Sequence, residues 1–369
     1  MSLRMEEVPA CLLCGTQGTS LYKGLHDRLY SVPGTFELWH CPNCGFIWLN
    51  PRPIQEDIPK LYETYYTHQT PKTSEPGGSG TFRKFRDALW RLILEAYYAY
   101  PSESGHRLLR LVAGRVLGAI PLLRARAAYG LGVRFPAWCG RGRLLDVGCG
   151  NGFYLSLMRT LGWDVAGVEV DSQAVAVCRA QGLSVFPGTL EEARFPDESF
   201  DVITMNHVIE HVSNPLALLQ ECYRILSPGG YVAIVTPNVK SLAYRLFRES
   251  WFALDPPRHL CLFHSTTLRK CVQAAGFRVI RAYTWNQMVM YIYDYSGQIR
   301  LHGKVVSQVT RPSIRARAFA GLERLLVALG WDIGEEVCVL AQKPAGSRHH
   351  DPNFVTSSLH FQGVAARLI

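Results

Sequence analysis

The sequence predicts an α/β protein built on a parallel sheet with helices on both faces. Three observations lead there. From Arg143 onward, short apolar strands alternate with helical stretches. A glycine-rich turn joins the first of these strands to the first of these helices. Residues 1–60 carry paired cysteines where a small module would otherwise need a core of its own.

In chain order, residues 1–60 come first, rich in cysteine, proline and turn residues. Cys11-x2-Cys14 and Cys41-x2-Cys44 are spaced as the two knuckles of a tetrathiolate zinc site. Thiolates on two short turns can meet tetrahedrally around zinc, and the metal then substitutes for missing apolar burial. Four protein sulfurs leave no open coordination position, so this zinc is expected to be structural. The other seven of the eleven cysteines are scattered singly and read as buried side chains; a secreted disulfide framework would fit poorly. Residues 61–140 read as a linker, PKTSEPGGSG at 71–80, followed by two or three basic, apolar helices within 81–135.

The main domain is expected at 141–345. RLLDVG is a short apolar strand, and GFYLSLMRTLG a helix closed by glycine. DVAGVEV is a strand, and DSQAVAVCRAQG a helix with an aspartate N-cap. FDVITMN is a strand and NPLALLQECYRIL a helix, with SPGG a turn before the strand YVAIVTP. TTLRKCVQAAG is helical, and FRVIRAY and EEVCVLAQK are late strands around another helical pair. Residues 346–369 read as a disordered tail.

Of the 369 residues, 48% are hydrophobic and 19% charged, enough for a large core and too apolar for general disorder. The beginning of the sequence has no apolar stretch of signal-peptide type, and no run reaches the length of a spanning helix. A cytoplasmic location is expected. The net charge is +9, and residues 81–143 hold twelve basic residues against three acidic ones, so that segment carries the whole excess. Such localisation argues against a nucleic-acid cleft spread over the whole molecule. FRKFRDALWRLILEAYYAY mixes arginines with large apolar residues, as interfacial helices do. Residues 81–135 therefore read either as a peripheral contact with the inner face of the membrane or as a cap over a substrate pocket.

LLDVGCGNGFY places Gly148, Gly150 and Gly152 between strand and helix, where amide hydrogens at a helix N-terminus can face a ligand. Phe153 stands where a dinucleotide fingerprint would carry its last glycine. Asp146 precedes the first glycine by two; a carboxylate there repels a pyrophosphate but suits a cationic, phosphate-free cofactor. Glu169, ending the second strand, can accept hydrogen bonds from a ribose diol.

These features, with the SFDVIT strand and the SPGG turn in the same order, resemble the class I S-adenosylmethionine-dependent methyltransferases over about 143–345. The resemblance implies a Rossmann-like, seven-stranded sheet with a reversed last strand, and S-adenosylmethionine as cofactor. It implies that Asp146 and the loop Gly148, Cys149, Gly150 and Gly152 contact the methionine part. Glu169 would hold the ribose, and GTLEE, with Thr189 and Leu190, the adenine. Tyr154, Val170 and Asn206 complete the implied cofactor-binding set. CPNCGFIWLNPRP, the following YETYY and a histidine loop after the fifth strand are similar to zinc-ribbon methyltransferases among the sugar C-methyltransferases and related cell-envelope glycan pathways. That likeness implies a small-molecule or glycan acceptor, nucleotide- or lipid-phosphate-linked, methylated at O or C.

MNHVIEHV follows the fourth strand, and its spacing sets His207, Glu210 and His211 on one helical side. Some related enzymes bind a divalent ion there through E-x-x-E-H; His207 replaces the first glutamate and is expected to contact substrate. In LDPPRHLCLF two prolines exclude helix, and the loop lies after the fifth strand, unlike the D-P-P-Y signature of adenine amino-methyltransferases. By the resemblance His259 is the base, and histidine is the side chain that exchanges its proton nearest neutral pH. Arg258 is expected to hold a substrate phosphate. Two other readings stand beside this one: an RNA methyltransferase gripping RNA with ribbon and basic helices, disfavoured by the localised charge, and a non-catalytic scaffold whose ribbon docks a partner.

Overall fold

The computed structural model describes residues 3–62, 80–102, 106–120, 123–124, 127, 136–286 and 288–345. The linker expected at 71–80, apart from Gly80, lies outside the described residues. So do the tail expected at 346–369 and most of 121–135.

The strands are β1 (Met5–Glu6), β2 (Thr19–Leu25), β3 (Phe36–His40), β4 (Ile47–Leu49), β5 (Arg52–Pro53), β6 (Arg143–Val147), β7 (Asp164–Glu169), β8 (Ser184–Pro187), β9 (Phe200–Asn206), β10 (Leu226–Pro237), β11 (Cys261–Leu262), β12 (Arg278–Trp285) and β13 (Glu336–Gln342). Seven of them form one sheet in the order β12-β13-β10-β9-β6-β7-β8. β6, β7 and β8 run parallel, with Leu145 opposite Ala166 and Val168 opposite Phe186. Nearly continuous apolar runs suit strands covered on both faces. β13 runs against β10: Asn238 donates to the Glu335 carbonyl at one end and Gly229 to Lys343 at the other. The reversed last strand is therefore present. Strand order turns between β6 and β9, and in such sheets ligands bind beyond the carboxyl ends at that point. The loop after β6 is the glycine turn.

SPGG differs from expectation. It is no free turn but the first part of β10, because Gly229 and Gly230 exchange backbone hydrogen bonds with Lys343 just past β13. A strand 113 residues further on supplies these partners, which no local pattern reveals.

Two compact units interleave along the chain. The glycine-loop unit comprises Thr67–Thr204, Arg224–Ala233 and Gln342–Ile369. Its helices are α1 (Gly80–Tyr98), α2 (Arg107–Gly118), α3 (Phe153–Thr160), α4 (Ser172–Ala180) and α5 (Leu190–Ala193). Leu144, Leu155, Met158, Val175, Cys178 and Val202 share its core; each fully buried leucine contributes about 1.5–3 kcal/mol. The expected cap of α4 is formed, with the Asp171 carboxylate accepting from the amides of Gln173 and Ala174.

The histidine unit comprises Met1–Tyr66, Met205–Tyr223 and Ile234–Ala341. It holds α6 (Pro215–Ile225), α7 (Leu242–Phe247), α8 (Ser265–Ala274), α9 (Val289–His302) and α10 (Ile314–Ala328). Its antiparallel sheet has the order β11-β4-β3-β2, so a strand from the far side of the chain completes the amino-terminal ribbon. Trp48 of β4 faces Trp39 on one side and Cys261 on the other, and is fully buried. This pairing anchors the chain two residues after His259. Among the described residues no helix is long and apolar enough to cross a membrane.

Candidate functional site

In the glycine-loop unit, Gly148, Gly150 and Gly152 carry φ of 68°, 52° and 76°. Left-handed backbone in succession lets the chain reverse from β6 into α3. A Cβ on Gly152 would lie 2.5 Å from Leu183, whereas one on Gly150 would meet nothing within 4 Å. Gly152 is thus bare for packing, and Gly150 faces open space. One Glu169 oxygen accepts from the Gly150 amide (2.8 Å) and the other from the Asp171 amide (3.0 Å). Asp146 accepts from the Thr204 hydroxyl at 2.6 Å.

Both carboxyls are buried. Burial first, and the charge of Glu169 second, push Asp146 up to about 7; burial raises Glu169 as well. Among the described residues no lysine or arginine is bonded to either, so this pocket holds negative charge without a cation of its own. The donor set fits a cationic cofactor. The sulfonium and ammonium of S-adenosylmethionine would offset the burial cost of the carboxylates, while a pyrophosphate would add to it.

The remaining implied cofactor positions divide. The Cys149 side chain packs against Gly167, leaving its backbone to face the turn. Tyr154 packs on the core cluster, and Val170 is exposed beyond the end of β7. Thr189 is a helix cap: its hydroxyl accepts from the Glu192 amide at 3.3 Å, and Glu192 accepts from the Thr189 amide at 2.7 Å. Leu190 is buried. GTLEE is therefore accounted for as a capping box. Asn206 ends β9 in the other unit, half-buried.

In the histidine unit the helical side on which the spacing set His207, Glu210 and His211 does not form. Residues 209–211 make only a 3-10 turn, and His207 precedes it with φ 54°. That kink sends the His207 ring to Glu210 (Nδ1, 3.2 Å) and Glu336 (Nε2, 2.9 Å). Burial opposes its charge, but the two carboxylates outweigh it and lift the imidazole to about 10. With both ring nitrogens bonded to carboxylates, His207 has no ring nitrogen left to accept a hydrogen bond from a substrate. Instead Glu210, His211 and His259 bring one ligand atom each within 4.8 Å of the others.

Arg258 also departs from expectation. Its side chain is fully buried, held by Asp27 (2.7 and 2.8 Å) and Asp255 (2.5 and 3.0 Å) and lying over the Tyr30 ring. Although burial works against its charge, the two carboxylates raise its pKa further. With its fork committed to two aspartates, no donor set remains for a phosphate; Arg258 fastens the loop to the segment after β2.

His259 Nδ1 lies 2.8 Å from the Ala253 carbonyl. A carbonyl only accepts, so Nδ1 carries the proton, and Nε2 is the ring nitrogen not committed to that carbonyl. Its ring meets His211 edge-on at 4.6 Å. Burial first, and the neighbouring His259 second, lower His211 to about 4, keeping it neutral. His211 Nδ1 lies 2.8 Å from the Tyr62 hydroxyl and 3.1 Å from the Arg258 carbonyl. Glu210 remains ionised, down to about 2: burial opposes this, but the histidines prevail. Its second oxygen accepts from Thr236 at 2.9 Å.

Sequence reasoning missed Asp27, Tyr62 and Glu336. Asp27 and Arg258 are 231 positions apart, and nothing local joins them. Glu336 had a signal in retrospect: two glutamates opening an otherwise apolar strand.

The four cysteines do gather. Cys11 and Cys44 sulfurs are 3.6 Å apart, Cys14 and Cys41 3.4 Å, Cys14 and Cys44 3.8 Å. A tetrahedral zinc with bonds of about 2.3 Å sets its sulfurs about 3.8 Å apart. Amides of Leu13 and Cys44 point at the Cys11 and Cys41 sulfurs. The set is compatible with structural zinc.

The chain is similar to known methyltransferases. A probable S-adenosylmethionine-dependent methyltransferase of Mycolicibacterium smegmatis is 32% identical over 38% of this chain and 54% of its own. A ubiquinone biosynthesis O-methyltransferase of Cereibacter sphaeroides is 37% identical over 30% of this chain and 47% of its own. The chain spans about half the length of the curated relatives it matches. A solved S-adenosylmethionine-dependent methyltransferase from Archaeoglobus fulgidus is 21% identical, with TM-score 0.39 over 60% of this chain and 92% of that one. Residues 88–282, more than half of the chain, match the family model described as a methyltransferase domain. The chain belongs to that family and carries a class I S-adenosylmethionine-dependent methyltransferase domain.

Proposed function

We propose that the protein transfers a methyl group from S-adenosylmethionine to a hydroxyl oxygen of a sugar, glycan or related small molecule, with His259 as proton acceptor. The observation that carries this reading is the His259–Ala253 hydrogen bond, which turns Nδ1 of a buried ring to a carbonyl and leaves Nε2 as the nitrogen that can take a proton. S-adenosylmethionine supplies a methyl already activated on sulfur, so the protein's task is positioning and proton removal. As the acceptor oxygen takes the methyl, its proton passes to Nε2. Glu210, held ionised beside the two histidines, then stabilises the imidazolium. Oxygen is favoured over carbon because Arg258, the cation next to His259 in the loop, is spent on Asp27 and Asp255 and so is not available to stabilise a carbanion. The names of the relatives that are O-methyltransferases point the same way.

A second reading rests on the same cluster. Glu210, His211 and His259 would hold a divalent cation that acidifies a bound hydroxyl, and a histidine whose other nitrogen donates to a backbone carbonyl is typical of ligands. A labelled-methyl screen over nucleotide sugars, lipid-linked sugars, hydroxylated small molecules and RNA tests the acceptor; label in RNA alone would overturn the proposal. Loss of turnover on chelation, restored by magnesium or manganese but not zinc, would select the second reading.

A further inference from the structure

Within the histidine unit, the chain that follows the second cysteine knuckle runs antiparallel to the chain that follows His259. Leu49 donates to the Leu260 carbonyl (3.0 Å), Trp48 faces Cys261, Ile47 faces Leu262, and the Phe46 ring meets the Phe263 ring at 5.2 Å. One step further in the same register Gly45 faces His264, for a Cβ on Gly45 would lie 3.1 Å from His264 Nε2. Residues 45–49 are thus matched in order with residues 264–260. Cys44 adjoins one end of this ladder and His259 the other. Apart from Gly45, every member is buried.

His264 closes the knuckle end with both ring nitrogens. Its Nδ1 accepts from the Thr266 amide at 3.3 Å, as the N-cap of α8. Its Nε2 lies 3.3 Å from the Cys44 carbonyl; a carbonyl only accepts, so Nε2 carries the proton. Capping requires only the first bond, and a shorter side chain supplies it well. The second bond, to the backbone of a cluster cysteine, needs the full length of the ring and the bare, left-handed Gly45 beside it (φ 76°).

The other end is fastened on both sides of His259. Leu260 donates to the Glu210 carbonyl at 2.7 Å while its own carbonyl is held by Leu49. Arg258 is tied to Asp27, in the segment after β2. The base therefore hangs between two attachments to the amino-terminal ribbon. A buried, close-packed ladder transmits a displacement of the knuckle instead of absorbing it.

We propose that His264 is a positioning residue: it locks the cysteine knuckle to the ladder, so that metal held by Cys11, Cys14, Cys41 and Cys44 fixes where His259 stands while taking no part in the chemistry. This inference rests on the reading of His259 as proton acceptor.

Two variants of the full-length protein separate the two bonds of His264. His264→Asn keeps a cap acceptor but is too short to reach Cys44, whereas His264→Gln keeps an amide donor near the reach of Nε2 and caps poorly. With zinc still bound, His264→Asn should lower kcat by about 10–10²-fold and leave S-adenosylmethionine affinity unchanged, since Asp146 and Glu169 belong to the other unit. His264→Gln should keep turnover near wild type with a lower melting temperature. Hydrogen exchange read by mass spectrometry should quicken across residues 260–264 in His264→Asn and in chelated wild-type protein, and added zinc should reverse only the latter. Full turnover and wild-type exchange in His264→Asn would overturn the proposal. So would equal losses in the two variants, or a loss in His264→Gln alone, since His264 would then be no more than a helix cap. Should His259→Ala retain turnover, the base reading fails by itself, and exchange at 260–264 still decides whether knuckle and loop are coupled.

Discussion

In the glycine-loop unit, Asp146 and Glu169 are buried and, among the described residues, are satisfied by a hydroxyl and backbone amides. Around the histidines, buried charge meets opposite charge: buried Arg258 lies between Asp27 and Asp255, and buried Glu210 and Glu336 both hold the more exposed His207. The contrast separates two uses of buried ions. Charge that the protein neutralises itself serves architecture. Charge left uncompensated raises a carboxyl's pKa and marks where a cationic ligand belongs. His259 belongs to neither class, being buried and oriented by a carbonyl, as a proton acceptor should be.

The largest effect expected on the architectural side is metal removal. If the ribbon sulfurs hold zinc, stripping it forfeits binding energy of about 10–16 kcal/mol that is coupled to folding. Chelation should release about one zinc per chain, seen with a colorimetric zinc indicator, and lower the melting temperature; a protein purified without zinc and with an unchanged melt would contradict it.

Next comes the Arg258 network. Arg258→Met should cost about 3–5 kcal/mol in denaturant unfolding, because it strands two buried aspartates. The exposed Arg86–Asp87 pair, treated the same way, should cost about 0–1 kcal/mol. If Arg258 instead bound a substrate phosphate, its loss would raise KM and spare stability.

His259→Ala should reverse that pattern, with kcat down by about 10²–10⁴, S-adenosylmethionine affinity unchanged, and little change in stability. Full turnover in this variant would remove the base assignment.

The smallest effect distinguishes a cap from a contact. Thr189→Ala should cost about 0.5–2 kcal/mol of stability as a lost N-cap. Calorimetry should find its cofactor affinity intact, whereas a large drop would restore Thr189 as an adenine ligand.

The sheet was largely legible because its signals are local. Apolar strands such as RLLDV, helix caps such as Asp171 and the glycine turn each declare themselves within a dozen residues. The four-cysteine cluster was legible for a similar reason, since each C-x2-C pair sits on one short turn. SPGG was misread because its strand partners lie beyond Gln342. His207 was misplaced because helical spacing was assumed where one left-handed residue breaks it. Arg258 was read as a phosphate ligand because its aspartates are fixed by tertiary packing, one of them on the far side of the chain. A side chain's partners decide whether its charge is available, and those partners are the least local property in the molecule.

Calorimetric titration with S-adenosylmethionine across pH, in buffers of different ionisation enthalpy, tests the role of the uncompensated carboxylates most directly. Asp146, raised to about 7 in the free protein, binds its proton below that pH; a cationic ligand favours the ionised form and so must displace it. Affinity should therefore climb as pH rises toward about 7 and level off above it, with protons released on binding, and Asp146→Asn should bind weakly with no such slope. Affinity independent of pH, no proton release and an Asp146→Asn variant as tight as wild type would contradict the account.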